Sequence, residues 1–199
     1  MNYAIIGFGN IGKALAKAFA RKGIEVSVAA RREPESIAAE AAAIGPKVLP
    51  KTLADAVKAD IIFLAVRFEA HPDVVKALPN WQGKTIIDVT NAYGVPPGQL
   101  GEQPSSQFLA NAFSGAKLVK GFNHLGAAVL AQDPGARGGR RVVFLASDDD
   151  GAAKEVGALA EDLGFAPVNL GGLWGGGSLV QAYGNSWGRL IFKDLVKFD

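Results

Sequence analysis

The feature that most constrains this chain is a glycine-rich turn near its start, Gly7-Phe-Gly-Asn-Ile-Gly12. It follows an apolar run at residues 3–6 and precedes a segment at 13–22 with helical periodicity. In such a unit the first glycine permits a sharp exit from the strand, the second lets a pyrophosphate approach the backbone, and the third lets the helix pack closely. The helix N-terminus also offers free N–H groups to phosphates. The pattern predicts a dinucleotide-binding turn made of Gly7, Phe8, Gly9, Asn10, Ile11 and Gly12.

The rest of the chain alternates apolar runs of strand length with helical patterns, which predicts an α/β fold. We expect a Rossmann-like, doubly wound, mostly parallel sheet flanked by helices, formed as a single domain over residues 1–199. An exposed loop is expected at 133–141. Further strands are predicted at 25–30, 48–49, 61–66, 84–89, 117–122, 141–146 and 165–170. Further helices are predicted at 34–43, 53–58, 72–78, 104–114 and 149–163.

The end of the chain is predicted to be a glycine-rich loop at 171–177 followed by a C-terminal helix at 178–196. Apolar side chains recur every fourth residue of that helix, which predicts one apolar stripe. Two interpretations stay open, because the stripe can cover the domain's own sheet or form a homodimer surface. The residues of the stripe are Leu179, Tyr183, Trp187 and Ile191.

The composition excludes several classes of protein. With 21 Lys and Arg against 19 Asp and Glu, the net charge of +2 is too small for a typical nucleic-acid binder. The absence of cysteine excludes thiolate chemistry, and two histidines far apart in sequence do not predict a metal site. No apolar stretch approaches the roughly 20 residues of a membrane span, and the N-terminus has no signal-peptide pattern. We therefore expect a cytoplasmic protein without nucleic acid, metal or membrane partners.

The end of the second predicted strand selects the cofactor. NAD-binding turns place an acidic residue there to accept a hydrogen bond from the ribose 2′-hydroxyl. This chain has Ala30, Arg31 and Arg32 instead, and two guanidinium groups suit a 2′-phosphate. One charged hydrogen bond contributes roughly 1.5–3 kcal/mol, which favours NADP over NAD by about tenfold to a hundredfold. The alternative is a solvated arginine pair that contacts Glu33 or Glu35.

Further candidate site residues follow the predicted central strands, because ligands of doubly wound sheets lie beyond the carboxyl ends of the strands. Small residues there let the backbone approach the cofactor, and Thr or Asn side chains hydrogen-bond the nicotinamide or simply stabilise turns. Arg67 either reaches the cofactor or pairs with Glu69. The candidates for the cofactor are Ala65, Val66, Arg67, Thr90 and Asn91.

Two residues after the sixth predicted strand, Asn123 and His124, are the candidates for catalysis. His124 is placed to face the nicotinamide, where it would hydrogen-bond an acceptor ring or supply a proton; a structural role is the alternative. His71 precedes Pro72 at a helix start and is expected on the surface. Trp174, in the glycine-rich loop, is either a wall against a planar ring or part of the core or an interface.

Four motifs carry a resemblance to a known family. They are Gly7-Phe-Gly-Asn-Ile-Gly12, Ala30-Arg31-Arg32, Asp88-Val-Thr-Asn91 and Val119-Lys-Gly-Phe-Asn-His124. Through them, over roughly residues 2–195, the chain resembles the coenzyme F420:NADP oxidoreductases. Relatives of that family include bacterial dinucleotide-binding proteins and the reductase domain of membrane ferric reductases.

The resemblance implies hydride transfer between NADP(H) and a flavin-like or deazaflavin (F420) acceptor, and commonly a homodimer. The chain departs from the family at three positions. Ala30 stands where the family often has Ser, Ala92 where it often has Pro, and His124 where it often has Thr.

No other catalytic pattern competes with this interpretation. The chain has neither the Tyr-x-x-x-Lys of short-chain dehydrogenases nor the Gly-x-Ser-x-Gly of hydrolases. Hydroxyacid and imine reductases begin with a similar turn but carry a large helical domain after the sheet, for which this sequence shows no counterpart. Hydride transfer between planar rings depends on how the rings are positioned, so it requires no dedicated base. The second hypothesis is an NADP(H)-binding sensor without turnover.

Overall fold

The computed structural model describes residues 1–96, 98–136, 138–182 and 195–198. The strands are β1 (Tyr3–Ile6), β2 (Val26–Ala29), β3 (Val48–Pro50), β4 (Ile61–Leu64), β5 (Thr85–Asp88), β6 (Lys117–Gly121), β7 (Gly135–Ala136), β8 (Gly139–Ala146), β9 (Ala166–Asn169) and β10 (Val196–Lys197). The helices are α1 (Asn10–Arg21), α2 (Pro34–Ile44), α3 (Leu53–Ala56), α4 (His71–Val75), α5 (Ser105–Ala112), α6 (Ala127–Leu130), α7 (Asp150–Asp162) and α8 (Ser178–Val180). A 3₁₀ turn spans Phe68–Ala70, and a π-helical turn spans Leu173–Gly177.

The sheet has the strand order of a dinucleotide-binding fold. Its parallel part runs β3-β2-β1-β4-β5-β6, so the order reverses between β1 and β4. Beyond β6, strand β8 runs antiparallel, pairs with β9 in parallel and carries β7 and β10 as antiparallel partners. A crevice opens beyond the carboxyl ends of the strands at such a reversal. The Rossmann-like, doubly wound, mostly parallel sheet predicted from the sequence is confirmed.

Helices cover both faces of the sheet, because its central strands are apolar at consecutive positions and bury side chains on both sides. On one face, Phe19 of α1 meets Phe63 of β4 edge-on at 5.7 Å, and Phe122 lies between Phe63 and Phe165. On the other face, Trp81 packs against Phe113 with 4.9 Å between ring centroids. Each such fully buried side chain contributes about 1.5–3 kcal/mol relative to an exposed one. The aromatic row therefore holds α1, and with it the glycine-rich turn, against the sheet.

The far edge of the sheet differs from the sequence prediction. Residues 133–141 are not simply an exposed loop, because Pro134 is buried and β7 pairs with β8 in a tight hairpin. The sequence pattern also did not predict α6, which is a single helical turn after β6.

The C-terminal helix predicted over 178–196 begins at Ser178 as expected, but its predicted end at residue 196 is wrong. Helix α8 ends at Val180, and Val196–Lys197 form β10. Val142 N donates to Leu195 O at 2.8 Å, so pairing with the edge of β8 overrides the local helical periodicity. Residues 183–194 lie outside the described residues, and with them three members of the apolar stripe, Tyr183, Trp187 and Ile191. In the described part of the chain, no helix has the length and apolarity needed to cross a bilayer.

Candidate functional site

The glycine-rich turn connects β1 to α1 through contacts that only glycine permits. Gly7 has a φ of 105°, and a Cβ there would overlap the carbonyl of Ala65, which follows β4. A Cβ on Gly12 would overlap the carbonyl oxygen of Gly7. Gly7 N donates to Ala29 O at 2.8 Å, which joins the turn to the end of β2. These two glycines therefore serve the close packing of the turn itself.

Gly9 serves a different purpose, because a Cβ at this position would meet nothing within 4 Å. It is the N-cap of α1, and no side chain of the described residues caps this helix end. The first-turn N–H groups at Asn10 and Ile11 therefore have no side-chain cap, and both residues line an open cleft at the positive end of the helix dipole. Such an end is a ready site for an anion such as a pyrophosphate. Phe8, by contrast, has its side chain buried in the core below the turn, beside the Lys13 ammonium.

A cleft of about 530 Å³ lies at the carboxyl ends of β1, β4, β5 and β6. It brings together residues that the sequence separates by more than a hundred positions, and most of the predicted site residues lie in its wall. Those residues are Gly9, Asn10, Ile11, Ala65, Val66, Arg67, Thr90, Asn91, Asn123 and His124. The sequence interpretation missed the remaining wall residues, Phe68, Glu69, Val89, Tyr93, Leu125 and Gly126. Each of them is close in sequence to a predicted residue, and this closeness is the signal that could have identified them.

A second cavity, of about 100 Å³, lies beside the end of β2. The predicted residues Gly7, Ala30 and Arg31 line it, together with Val66 from the wall of the larger cleft. Its other walls were missed by the sequence interpretation, since α3 and α4 reach it only through folding. Those walls include Leu53, Ala70, Asp73 and Val74.

The two arginines after β2 have different surroundings. Arg31 is exposed and forms no ion pair with any residue of the described ranges. Arg32 pairs with Glu40 of α2 at 3.3 Å, and the same carboxylate pairs with Lys13 of α1. The hydrogen bond from Lys13 and then that from Arg32 lower the pKa of Glu40 below its usual value. The alternative to a 2′-phosphate site named Glu33 or Glu35 as partners of these arginines, whereas the observed partner of Arg32 is Glu40, almost two helical turns into α2.

The Arg67 side chain is at the exposed mouth of the cleft. Its guanidinium lies 2.6 Å from the Glu69 carboxylate, and 86% of the Arg67 side chain is exposed. The structure thus contains the ion pair that the sequence left open as an alternative. An exposed pair contributes little to stability, so Arg67 is free to exchange Glu69 for another anion at little cost.

Asn91 and Asn123 form a reciprocal pair on the inner wall of the cleft. Asn91 Nδ2 donates to Asn123 O at 2.9 Å, and Asn123 Nδ2 donates to Asn91 Oδ1 at 3.0 Å. Asn123 Nδ2 also donates to Val180 O at 2.7 Å, and Ala182 N donates to Asn91 Oδ1 at 3.2 Å. The Oδ1 atom of Asn123 is buried without a hydrogen-bond partner among the described residues. The pair therefore joins the loops after β5 and β6 to the end of α8 and to the residues that follow it.

The loop after β6 carries an unusual backbone conformation. Phe122 has a φ of 59°, the only positive value at a non-glycine residue of the described chain. This conformation costs free energy, and the buried aromatic contacts of Phe122 hold it. The sharp turn brings the next two residues, Asn123 and His124, to the wall of the cleft.

His124 has a neutral imidazole at neutral pH. Burial lowers the pKa of His124 from 6.5 to about 4, and the contact with Val142 O only partly opposes this shift. Its Nε2 lies 3.2 Å from Val142 O, and its ring packs on Phe144 with 5.0 Å between centroids. An imidazole with so low a pKa is a poor proton donor at pH 7.

The low pKa of His124 predicts a defined loss of stability in acid. The stabilisation from keeping the ring neutral is complete above pH 6.5 and falls as pH approaches the folded-state pKa of about 4. We expect the wild type to lose about 2 kcal/mol more than His124→Gln between pH 7 and pH 4.5. Urea unfolding of both chains at the two pH values measures this difference, and equal losses in both would contradict the assignment.

Two aromatic residues occupy positions outside the cleft. His71, expected on the surface, is buried between Phe68 and Phe108, and its Nδ1 lies 2.6 Å from Phe68 O. The surface prediction is wrong because the 3₁₀ turn before α4 folds the ring inwards. Trp174 is 57% exposed and does not line the cleft.

Among the described residues, no group of three metal-ligating side chains lies close enough together to hold an ion.

Comparisons with known proteins identify chains that are similar to this one. The family model for coenzyme F420-dependent NADP oxidoreductases matches residues 2–92, which include the turn, both arginines and Asn91. The mouse metalloreductase STEAP2 is 33% identical over 171 residues, which are 85% of this chain and 33% of that protein. This chain thus spans about a third of the length of the curated relatives that it matches.

Two solved structures extend the likeness beyond the family model's range. A hypothetical protein from Sinorhizobium meliloti is 38% identical, with a TM-score of 0.91 over 99% of this chain and 96% of that one. A putative F420-dependent NADP reductase from Arthrobacter is 27% identical, with a TM-score of 0.71 over 87% and 86% of the two chains. The family supports NADP(H) as the cofactor and an oxidoreductase as the class of enzyme. Residues 2–92, just under half of this chain, thus match the family of coenzyme F420-dependent NADP oxidoreductases.

Proposed function

We propose that this chain is an NADPH-dependent oxidoreductase that transfers a hydride between NADP(H) and a flavin-like or deazaflavin acceptor. The observation that carries the proposal is the open N-terminus of α1 at Gly9, together with Arg31, which lines the small cavity and has no ion-pair partner among the described residues. The first feature suits a pyrophosphate and the second suits a 2′-phosphate. Both lie beyond the carboxyl ends of the parallel strands, where this class of fold binds its ligands.

The residues divide between the two halves of a dinucleotide. The N–H groups at Asn10 and Ile11 would receive the pyrophosphate, and Arg31 would pair with the 2′-phosphate. The small cavity beside β2 has apolar walls at Leu53 and Val74 that suit an adenine ring. The cleft after β4, β5 and β6 would then take the nicotinamide half.

The chemistry at the nicotinamide end follows from what the wall of the cleft contains. NADPH, when bound, supplies the hydride, and the protein supplies position and electrostatics. The side chains of Thr90, Asn91 and Asn123 are neutral, and His124 is neutral at pH 7 because of its low pKa. The charged wall residues Arg67 and Glu69 pair with each other at the exposed mouth of the cleft, so the inner wall orients rings without delivering a proton. It suits a planar acceptor that accepts hydride directly better than a carbonyl compound, which requires a positioned acid.

The test is NADPH oxidation, followed by the loss of absorbance, against FMN, FAD, deazaflavin, quinones and ferric chelates. We expect turnover with at least one flavin-type ring and a background rate in Gly9→Ala, which removes the proposed phosphate site. Tight NADPH binding without turnover on any acceptor would instead support the sensor. The homodimer and the cytoplasmic location predicted from the sequence stay predictions.

A further inference from the structure

A buried ion pair lies directly behind the proposed nicotinamide end. Lys120 of β6 and Asp88 of β5 occupy paired positions in the two parallel strands, and both side chains are fully buried. Lys120 Nζ lies 3.0 Å from Asp88 Oδ2. Burial lowers the pKa of Lys120, and the Asp88 carboxylate opposes that shift. Because a buried ion pair is often no more stabilising than apolar residues of similar volume, its presence suggests a use other than stability.

The hydrogen bonds of the pair converge on Thr90. Lys120 Nζ donates to Thr90 O at 2.5 Å. Asp88 Oδ1 accepts from Thr90 N at 2.9 Å and from Thr90 Oγ1 at 2.7 Å. Every polar group of Thr90 is thus bound by the ion pair, while Ser106 Oγ donates to the remaining carboxylate oxygen at 2.7 Å. The buried ion pair therefore fixes the conformation of the backbone at Thr90, directly after β5.

The same residues reach the cleft only indirectly. Thr90 and its neighbour Asn91 line the cleft, and Asn91 pairs with Asn123 on its inner wall. Neither Lys120 nor Asp88 is part of the wall of the cleft. Any effect of Lys120 on a ligand must therefore pass through the conformation of Thr90 and Asn91.

We propose that Lys120 is a positioning residue for the nicotinamide half of the cofactor, acting through Thr90 and the Asn91–Asn123 pair. The inference rests on the proposed function, because it needs NADP(H) in this cleft. It assigns Lys120 no contact with the cofactor. It predicts that loss of the ammonium impairs binding of the nicotinamide half and spares the adenosine half.

The test compares two ligands that share the adenosine half. NADPH carries the nicotinamide, whereas adenosine 2′,5′-bisphosphate retains only the adenine, the ribose and the 2′-phosphate. In Lys120→Met we expect the Kd of NADPH to rise about tenfold, as for the loss of one strong contact, and that of the bisphosphate to change less than twofold. The control is Val119→Ala, a buried change at the neighbouring position of β6, which should leave the ratio of the two Kd values unchanged.

A second variant keeps the inference testable if Lys120→Met does not fold. Lys120→Met leaves the Asp88 charge buried alone, so Asp88→Leu with Lys120→Met removes both charges together. This double variant should fold and should show the same selective loss of NADPH affinity. An unchanged ratio in either folded variant, or equal weakening of both ligands, would overturn the inference. A wild type that binds neither ligand would overturn the proposed function itself.

Discussion

Replacing Gly9 with alanine is expected to weaken NADPH binding by about a hundredfold while leaving the fold intact. The structure has room for the new Cβ, so the free energy of unfolding should change by less than about 1 kcal/mol. The methyl group would, however, lie over the open N-terminus of α1, where the pyrophosphate is proposed to bind. Thermal unfolding and NADPH titration of the same preparation measure the two effects separately.

The matched control for Gly9→Ala is Gly7→Ala, in which we expect a large loss of folding stability instead. Gly7 has a φ of 105°, and its Cβ would overlap the Ala65 carbonyl. Backbone strain and steric overlap together should cost about 3–5 kcal/mol of stability. If Gly7→Ala were as stable as Gly9→Ala, or if Gly9→Ala bound NADPH normally, the division of roles within the turn would be refuted.

Replacing Arg31 with glutamine should weaken NADPH binding by about tenfold to a hundredfold and leave NADH binding unchanged. The expected effect rests on Arg31, which lines the small cavity and has no ion-pair partner in the described part of the chain. Arg32→Gln is the matched control, because its guanidinium already pairs with Glu40. We expect a change of threefold or less for that variant, as for the loss of an exposed charge. A larger effect at Arg32 than at Arg31 would show that the 2′-phosphate site is assigned to the wrong arginine.

The most predictable part of the structure was the strand–turn–helix at the start. Its signals are local, since the positions of Gly7, Gly9 and Gly12 specify backbone conformations within a few residues. The edge of the cleft was also predictable, because the carboxyl ends of parallel strands must meet at one side of the sheet. That rule selected Thr90, Asn91 and Asn123 without any knowledge of their contacts.

Pairings made by the tertiary fold were not predictable in the same way. Glu40 of α2 pairs with Arg32 and, because α2 packs beside α1, also with Lys13, so the acidic residues next to Arg32 in sequence were the wrong partners. Strand β10 forms because β8 has an edge to pair, against the helical pattern of its own residues. The Lys120–Asp88 pair did leave a signal, namely two charged residues in apolar runs predicted to be central strands. A charge at such a position indicates a buried partner, although the sequence does not say which one.

The central claim is that this chain selects NADP over NAD through the residues after β2. The most direct measurement is the titration of the unmodified chain with NADPH and with NADH in the same low-salt buffer. The account predicts that NADPH binds at least about tenfold more tightly, because the 2′-phosphate gains a charged contact that a 2′-hydroxyl lacks. Equal affinities, or tighter binding of NADH, would contradict it.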